Sequence, residues 1–307
     1  MRLARFDSDR LGLVEDDLIF DVTAALDALP ALRWPLAPGD QLIAQLDRLR
    51  APIAAARADA KPLSVHDIAL RSPVANASKI IAAPANYRSH VEIDSADPGV
   101  DVNGIRAQLL EMDRPVDKLG LFLKSSTSLV GPAEGIALDW PEPGRRFDHE
   151  VELAIVIGRT ARHVRRDDAL GYVAGYAIGL DITMRGAEDR SFRKSLDSFS
   201  VLGPWLVTAD EMPDPGKVTF WIEVNGEQRQ RASSASITVG LAELIEIASR
   251  AYTLYPGDII MTGTPDGVGP IAPGDVVTAG CEGIGTMRLE VRAPQAVSTR
   301  DVPQLAV

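Results

Sequence analysis

The chain has 307 residues, 46% hydrophobic and 24% charged, enough apolar material for a sizeable core in one large or two modest domains. Its net charge of −11 repels phosphate backbones and anionic lipid, which argues against nucleic acid and membrane surfaces as partners and leaves room for carboxylates gathered round a cation. The single cysteine, Cys281, rules out an internal disulfide and a cysteine-rich zinc site. With no apolar leader at the N-terminus, and no apolar run long enough to span a bilayer, a cytoplasmic location is expected.

In chain order, residues 1–75 read as a small unit of their own, an α/β appendage. Leu11–Val14 and Leu18–Val22 flank the acidic turn Glu15-Asp16-Asp17 and predict a hairpin. Gln41–Ala60 has helical spacing after a Pro-Gly-Asp turn. Residues 76–307 form the second, catalytic unit, with a strand-and-turn texture. Ile80–Ala83 is a buried-strand candidate. Asp94–Leu119 is polar and punctuated by Gly and Pro, with one short helical pattern (Ile105, Leu109, Leu110), which marks either a functional loop or disorder. Val151–Ile157 is a strong strand, and Tyr172–Leu180 another. Val218–Val224 and Glu227–Gln230 predict a hairpin with a type I′ turn at Asn225-Gly226. Leu241–Tyr252 is an amphipathic helix, and Ile259–Thr262 a strand that leads into a glycine-rich run.

The chemistry concentrates around the Val151 strand. Strand side chains alternate faces, so Glu150 and Glu152 share one face while Val151, Leu153, Ile155 and Ile157 line the other. The carboxylate face continues with Ala154 and Val156 and is therefore expected to be buried. Adjacent carboxylates at a buried surface need a proton, an arginine or a metal ion; the alternative is a solvent-exposed strand end with two ordinary glutamates. Asp181, delivered by the strand before it, adds a third carboxylate and favours a hard octahedral ion such as Mg²⁺ or Mn²⁺. His149 points the other way and reads as structural. Lys124, after an apolar strand, reads as a snorkelling surface lysine. The run Thr262–Gly269 lacks the phosphate-loop ending, so its glycines are better explained by close backbone approach to a ligand.

The chain resembles the fumarylacetoacetate hydrolase family from about Lys79 to Val291, through motifs in order. They are Asn86-Tyr87-Arg88-Ser89-His90, Leu121 to Ser125, Glu150-Val151-Glu152, Gly179 to Arg185 and Arg193 to Phe199. Leu202 to Trp205, Val224 to Glu227 with Gln230, Tyr255 to Pro265 and Gly283 to Thr286 follow. The resemblance implies an α+β fold with a mixed, β-rich roll, a homodimer, and a segment after His90 that closes as a lid. It implies one Mg²⁺ or Mn²⁺ on Glu150, Glu152 and Asp181, His90 as general base, and Lys194 as oxyanion donor. Arg185 and Thr264 are the implied substrate contacts, and Tyr87, Glu188 and Gln230 join them as candidates. The substrate implied is a small 2-oxo or 1,3-diketo acid.

Two departures from the family pattern stand out. Relatives place a glutamate three residues after the histidine, where this chain has Ile93; either Glu92 is recruited as the catalytic acid, or Asp94 substitutes, or the dyad is absent. Glu188 replaces a glutamine of several relatives and would disfavour a nearby substrate carboxylate unless it pairs with Arg185 or Arg190. The expected activity is hydrolysis of a C–C bond in an acylpyruvate. A decarboxylase, isomerase or hydratase on the same site is the alternative within the family, and an inactive ligand-binding or scaffold protein is the alternative outside enzymology.

Overall fold

A computed structural model describes residues 1–101, 104, 106–140 and 144–293. The fold is α+β with strands predominating. One long mixed sheet carries the site. Its strands run in the order Pro62–Ser64, Leu18–Asp21, Arg10–Glu15, Arg2–Phe6, Ser200–Thr208, Val173–Asp181, Val151–Ile157, Ile259–Met261, Ile80–Ala82 and Phe122–Lys124. The N-terminal strands thus continue the sheet that holds Glu152: Arg2 and Leu3 pair with Val207 and Leu206.

Val151–Ile157 is buried along its whole length because it has neighbours on both edges and apolar cover on both faces. Its β-branched side chains suit that setting. Leu153, Ile155 and Ile157 enter the main core, while Ala154 and Val156 pack with Ile80, Leu202 and Met261 on the other face. Each fully buried Ile or Leu contributes about 1.5–3 kcal/mol.

The five-stranded second sheet contains the predicted hairpin, Thr219–Val224 with Glu227–Ser233. Asn225 and Gly226 have φ of 54° and 79°, as a type I′ turn requires. The helix Leu241–Ala251 buries Leu241, Leu244, Ile245 and Ala248, the apolar stripe seen in the sequence.

The expected helix over Gln41–Ala60 is two helices, Gln41–Ala44 and Leu46–Asp59. The break at Gln45 lets Ile43 pack against the main sheet while Leu46, Leu49 and Ile53 face Leu3, Leu11 and Val22. The segment Asp94–Leu119 holds short helices at Arg106–Leu110 and Pro115–Leu119; Ile105 of its predicted helical pattern lies outside the described residues. Among the described residues no helix is long and apolar enough to cross a membrane.

Candidate active site

Strand register assembles the carboxylates. Val151 pairs with Leu180 and Glu152 with Gly179, and the Asp181 N–H donates to the Glu150 carbonyl at 2.9 Å. This sets Glu150, Glu152 and Asp181 together, with one oxygen from each lying within 4.8 Å of the others. All three are buried, at 5%, 2% and 1% exposure, so the exposed-strand-end reading is excluded.

Cations hold this group together unevenly. Lys194 Nζ donates to Glu150 Oε2 at 2.8 Å, to Asp181 Oδ2 at 2.7 Å and to Thr183 Oγ1 at 2.8 Å. Arg185 Nη2 reaches Glu150 Oε1 at 3.0 Å. Burial would raise the Glu150 carboxyl, but the Lys194 ammonium and the Arg185 guanidinium overcome it and hold that carboxyl well below the usual range. Glu152 has no hydrogen-bonded cation among the described residues. Its carboxylate accepts the Gly263 N–H at 2.6 Å, yet burial and then the charges of Asp181 and Glu150 push its carboxyl well above the usual range. A buried carboxylate set with one member still short of positive charge is the donor set a divalent cation satisfies, and its all-oxygen chemistry suits Mg²⁺ or Mn²⁺. The residues fit the ion that the sequence implied.

Glycine makes the Glu152 contact possible. Gly263 has φ of +100°, and a Cβ there would lie 2.7 Å from the Cβ of Asn86. Asn86 fixes the loop by donating to the Thr262 and Val239 carbonyls at 2.8 and 3.0 Å.

His90 lies on the short helix Arg88–Ile93. Its Nδ1 is 3.1 Å from Asp94 Oδ2, and Asp94 accepts the N–H groups of Gly267 and Val268, both at 3.0 Å. Asp94 is therefore the carboxylate that meets the histidine. Glu92 does not: it is half exposed and accepts from Arg88 Nε at 2.7 Å. On a helix, i+4 is a neighbour and i+2 points away.

A cavity of about 120 Å³ is lined by His90, Glu150, Glu152, Asp181, Arg185, Lys194 and Thr264, among others. Three expected substrate contacts lie elsewhere. Tyr87 is in the core, 1% exposed and edge-on to Phe220, where burial raises its hydroxyl. Gln230 sits behind the site. Its Nε2 donates to Thr264 Oγ1 at 2.9 Å, and its Oε1 accepts the Val151 N–H at 3.1 Å, so it braces the wall. Glu188 pairs with Arg145 at 2.8 Å, and neither Arg185 nor Arg190 is its partner. His149 points away from the carboxylates, as expected, and its Nδ1 lies 3.1 Å from Gln230 Oε1.

Two residues were missed. Lys124 is fully buried, not snorkelling; its Nζ contacts Asp181 Oδ1 and donates to the Phe199 carbonyl at 2.7 Å. Asp148, fully buried, accepts Arg185 Nε at 2.7 Å and Arg146 Nε at 2.7 Å, and so aims Arg185 at Glu150. The alternation that selected Glu150 and Glu152 includes position 148 and could have found it.

A sequence model described as the C-terminal part of fumarylacetoacetate (FAA) hydrolase matches residues 79–292. A maleylpyruvate hydrolase of Aquipseudomonas alcaligenes is 50% identical over 293 residues, covering 95% of this chain and 100% of its own. The crystal structure of maleylpyruvate hydrolase from Sphingobium sp. SYK-6 in complex with manganese(II) ion and pyruvate matches with a TM-score of 0.79 and 39% identity, over 96% of this chain and 100% of that one. A 2,4-didehydro-3-deoxy-L-rhamnonate hydrolase of Sphingomonas sp. (strain SKA58) is 36% identical over 232 residues, 71% of this chain and 75% of its own.

Proposed function

The chain belongs to the fumarylacetoacetate hydrolase family, and from that premise we propose that it is a divalent-metal-dependent hydrolase of an acylpyruvate, with maleylpyruvate as the substrate to test first. The observation that carries the reading is one cavity lined by both the buried carboxylate cluster and His90 with its Asp94 support.

Glu150, Glu152 and Asp181 would hold Mg²⁺ or Mn²⁺, which when bound supplies Lewis-acid polarisation of the substrate oxygens. His90, held at Nδ1 by Asp94, has Nε2 left to take a proton from water. The resulting hydroxyl oxygen bonds to the acyl carbonyl carbon. The bond from that carbon to the pyruvate methylene then breaks, and its electron pair stays on the methylene carbon. The proton held by His90 converts that carbon to methyl, so the products are pyruvate and the free acid. Lys194, whose ammonium is fixed by Glu150, Asp181 and Thr183, places a positive charge beside the cluster for the charge that develops on oxygen. Arg185, aimed by Asp148 through Nε and tied to Glu150 through Nη2, keeps Nη1 for the carboxylate at the pyruvate end of the substrate. A base backed by an acid has a use in hydrolysis and none in a simple decarboxylation, which favours the hydrolase over the decarboxylase.

The test is turnover of maleylpyruvate by the purified chain with Mn²⁺ or Mg²⁺, read as pyruvate release. Pyruvate and maleate are expected in equal amounts, with activity abolished by chelation and restored by the ion. Glu150→Gln is expected to remove both Mn²⁺ binding and activity; absence of pyruvate from the wild-type enzyme would overturn the reading. The same reading assigns a homodimer working in the cytoplasm, to be checked by sedimentation and cell fractionation.

A further inference from the structure

Among the described residues, four lysine and arginine side chains line the cavity, and three of them already donate to protein acceptors. Arg185 is held by Asp148 and Glu150, and Lys194 by Glu150 and Asp181. Arg193 donates from Nε to the Glu188 carbonyl at 2.8 Å and from Nη1 to the Met184 carbonyl at 3.2 Å.

Arg190 differs. It lines the same cavity, and its guanidinium makes no hydrogen bond or ion pair with any described residue. Its chain neighbour Asp189 is engaged with the Ser191 N–H at 2.8 Å. What holds Arg190 is the face of Phe122, whose ring centroid is 5.5 Å from the guanidinium carbon. Lys194 Nζ stands 5.6 Å from the same centroid. One aromatic ring therefore supports both the cation at the carboxylate cluster and the uncommitted one further along. A partly buried guanidinium that feels Glu150, Asp181 and Asp189 through space but hydrogen-bonds to none of them presents a planar fork of donors that matches one group above all, a carboxylate taken in bidentate fashion.

We infer that Arg190 is a specificity-determining residue that binds a second carboxylate, at the far end of the acyl chain, so that the enzyme selects acylpyruvates whose acyl group ends in an acid. This rests on the acylpyruvate hydrolase reading and adds the substrate class to it. Val91, Leu109 and Phe122 line the cavity and supply apolar wall for the carbon chain between the two ends. The local charge supports the choice. Near the cluster a second carboxylate would meet Glu150, Glu152 and Asp181, whereas at Arg190 it meets a cation with no competing anion in contact.

The experiment compares Arg190→Gln with wild type on two substrates, maleylpyruvate and acetylpyruvate, which has no distal acid. The ratio of kcat/KM for maleylpyruvate over acetylpyruvate is expected to fall roughly 10- to 100-fold, the size of one lost charge-assisted interaction. The fall should lie mainly in KM, and Arg190→Lys should recover part of it. An unchanged ratio, whether both substrates suffer equally or neither does, overturns the inference. Maleate binding by calorimetry separates the two claims. If wild type hydrolyses neither acylpyruvate, the acylpyruvate reading fails. Maleate affinity that falls in Arg190→Gln then still supports the carboxylate site, and affinity that does not fall overturns it.

Discussion

At the scale of single residues, the decisive geometry is the turn of helix between His90 and Asp94. Asp94 serves the histidine with one oxygen and receives two loop N–H groups, so its carboxylate is fixed from two directions. A fixed acceptor sets the tautomer and aim of an imidazole. Asp94→Asn is expected to lower kcat by about 10- to 100-fold with KM little changed, since it disturbs the proton acceptor and not the ground-state contacts. Glu92→Gln should stay within about twofold of wild type, because Glu92 lies on the Arg88 side of the helix. Steady-state kinetics of the two variants decide between the acids; equal losses would remove Asp94 from the role. From the sequence this choice was open, since it turned on whether the backbone after His90 is helical, and a six-residue helix leaves too short a pattern to read. Glu150, Glu152 and Asp181 were legible because alternation is a property of any strand. Lys124 was not, because its burial depends on the strand Ser200–Thr208 and its neighbours arriving from far along the chain.

Among the elements, the loop after the strand Ile259–Met261 links the sheet to the cluster. Its Gly263 N–H is the hydrogen bond donor to Glu152, and Asn86 closes against the glycine from the other side. Gly263→Ala would place a Cβ 2.7 Å from Asn86 Cβ at a φ that L-residues rarely adopt. The strain alone costs about 1–3 kcal/mol. The variant should melt at lower temperature and bind Mn²⁺ more weakly, the second effect because Glu152 loses its aligned donor. Thermal unfolding and calorimetry with Mn²⁺ read both, and wild-type values for each would show that the loop does not brace the carboxylate. The sequence marked this run as glycine-rich and as a place of close approach; which glycine faced Asn86, 177 positions away, depended on the parallel pairing of Ile259–Met261 with Ile80–Ala82. Hairpin and helix were readable locally, since Asn225-Gly226 and the Leu241 stripe carry their own signals. The pairing of distant strands was not.

For the molecule as a whole, the question is how residues 1–75 are attached to the remainder. The strand Arg2–Phe6 joins Ser200–Thr208 in one ladder, and polar ties follow at the turn beyond it. The Met1 ammonium donates to Thr208 Oγ1 at 2.5 Å and pairs with Glu211 at 2.8 Å. Arg50, on the helix Leu46–Asp59, grips Asp210 through both Nη atoms at 3.1 and 3.2 Å. The Arg50 hydrogen bonds, with one from Thr208, pull the Asp210 carboxyl down to about 2 from the ordinary 3.8. A carboxyl depressed in the folded state contributes stability that is complete above its unfolded value and disappears as pH falls through the folded one. Asp210→Asn should therefore lower stability at neutral pH, by no more than about 1 kcal/mol because the pair is solvent-screened. That deficit should shrink below pH 3.8 and vanish near pH 2. Urea midpoints of the two proteins across this range measure it, and added salt should reduce the neutral-pH difference. A deficit that does not change with pH would mean that the charge on Asp210 is not what ties the N-terminal helix to the catalytic sheet.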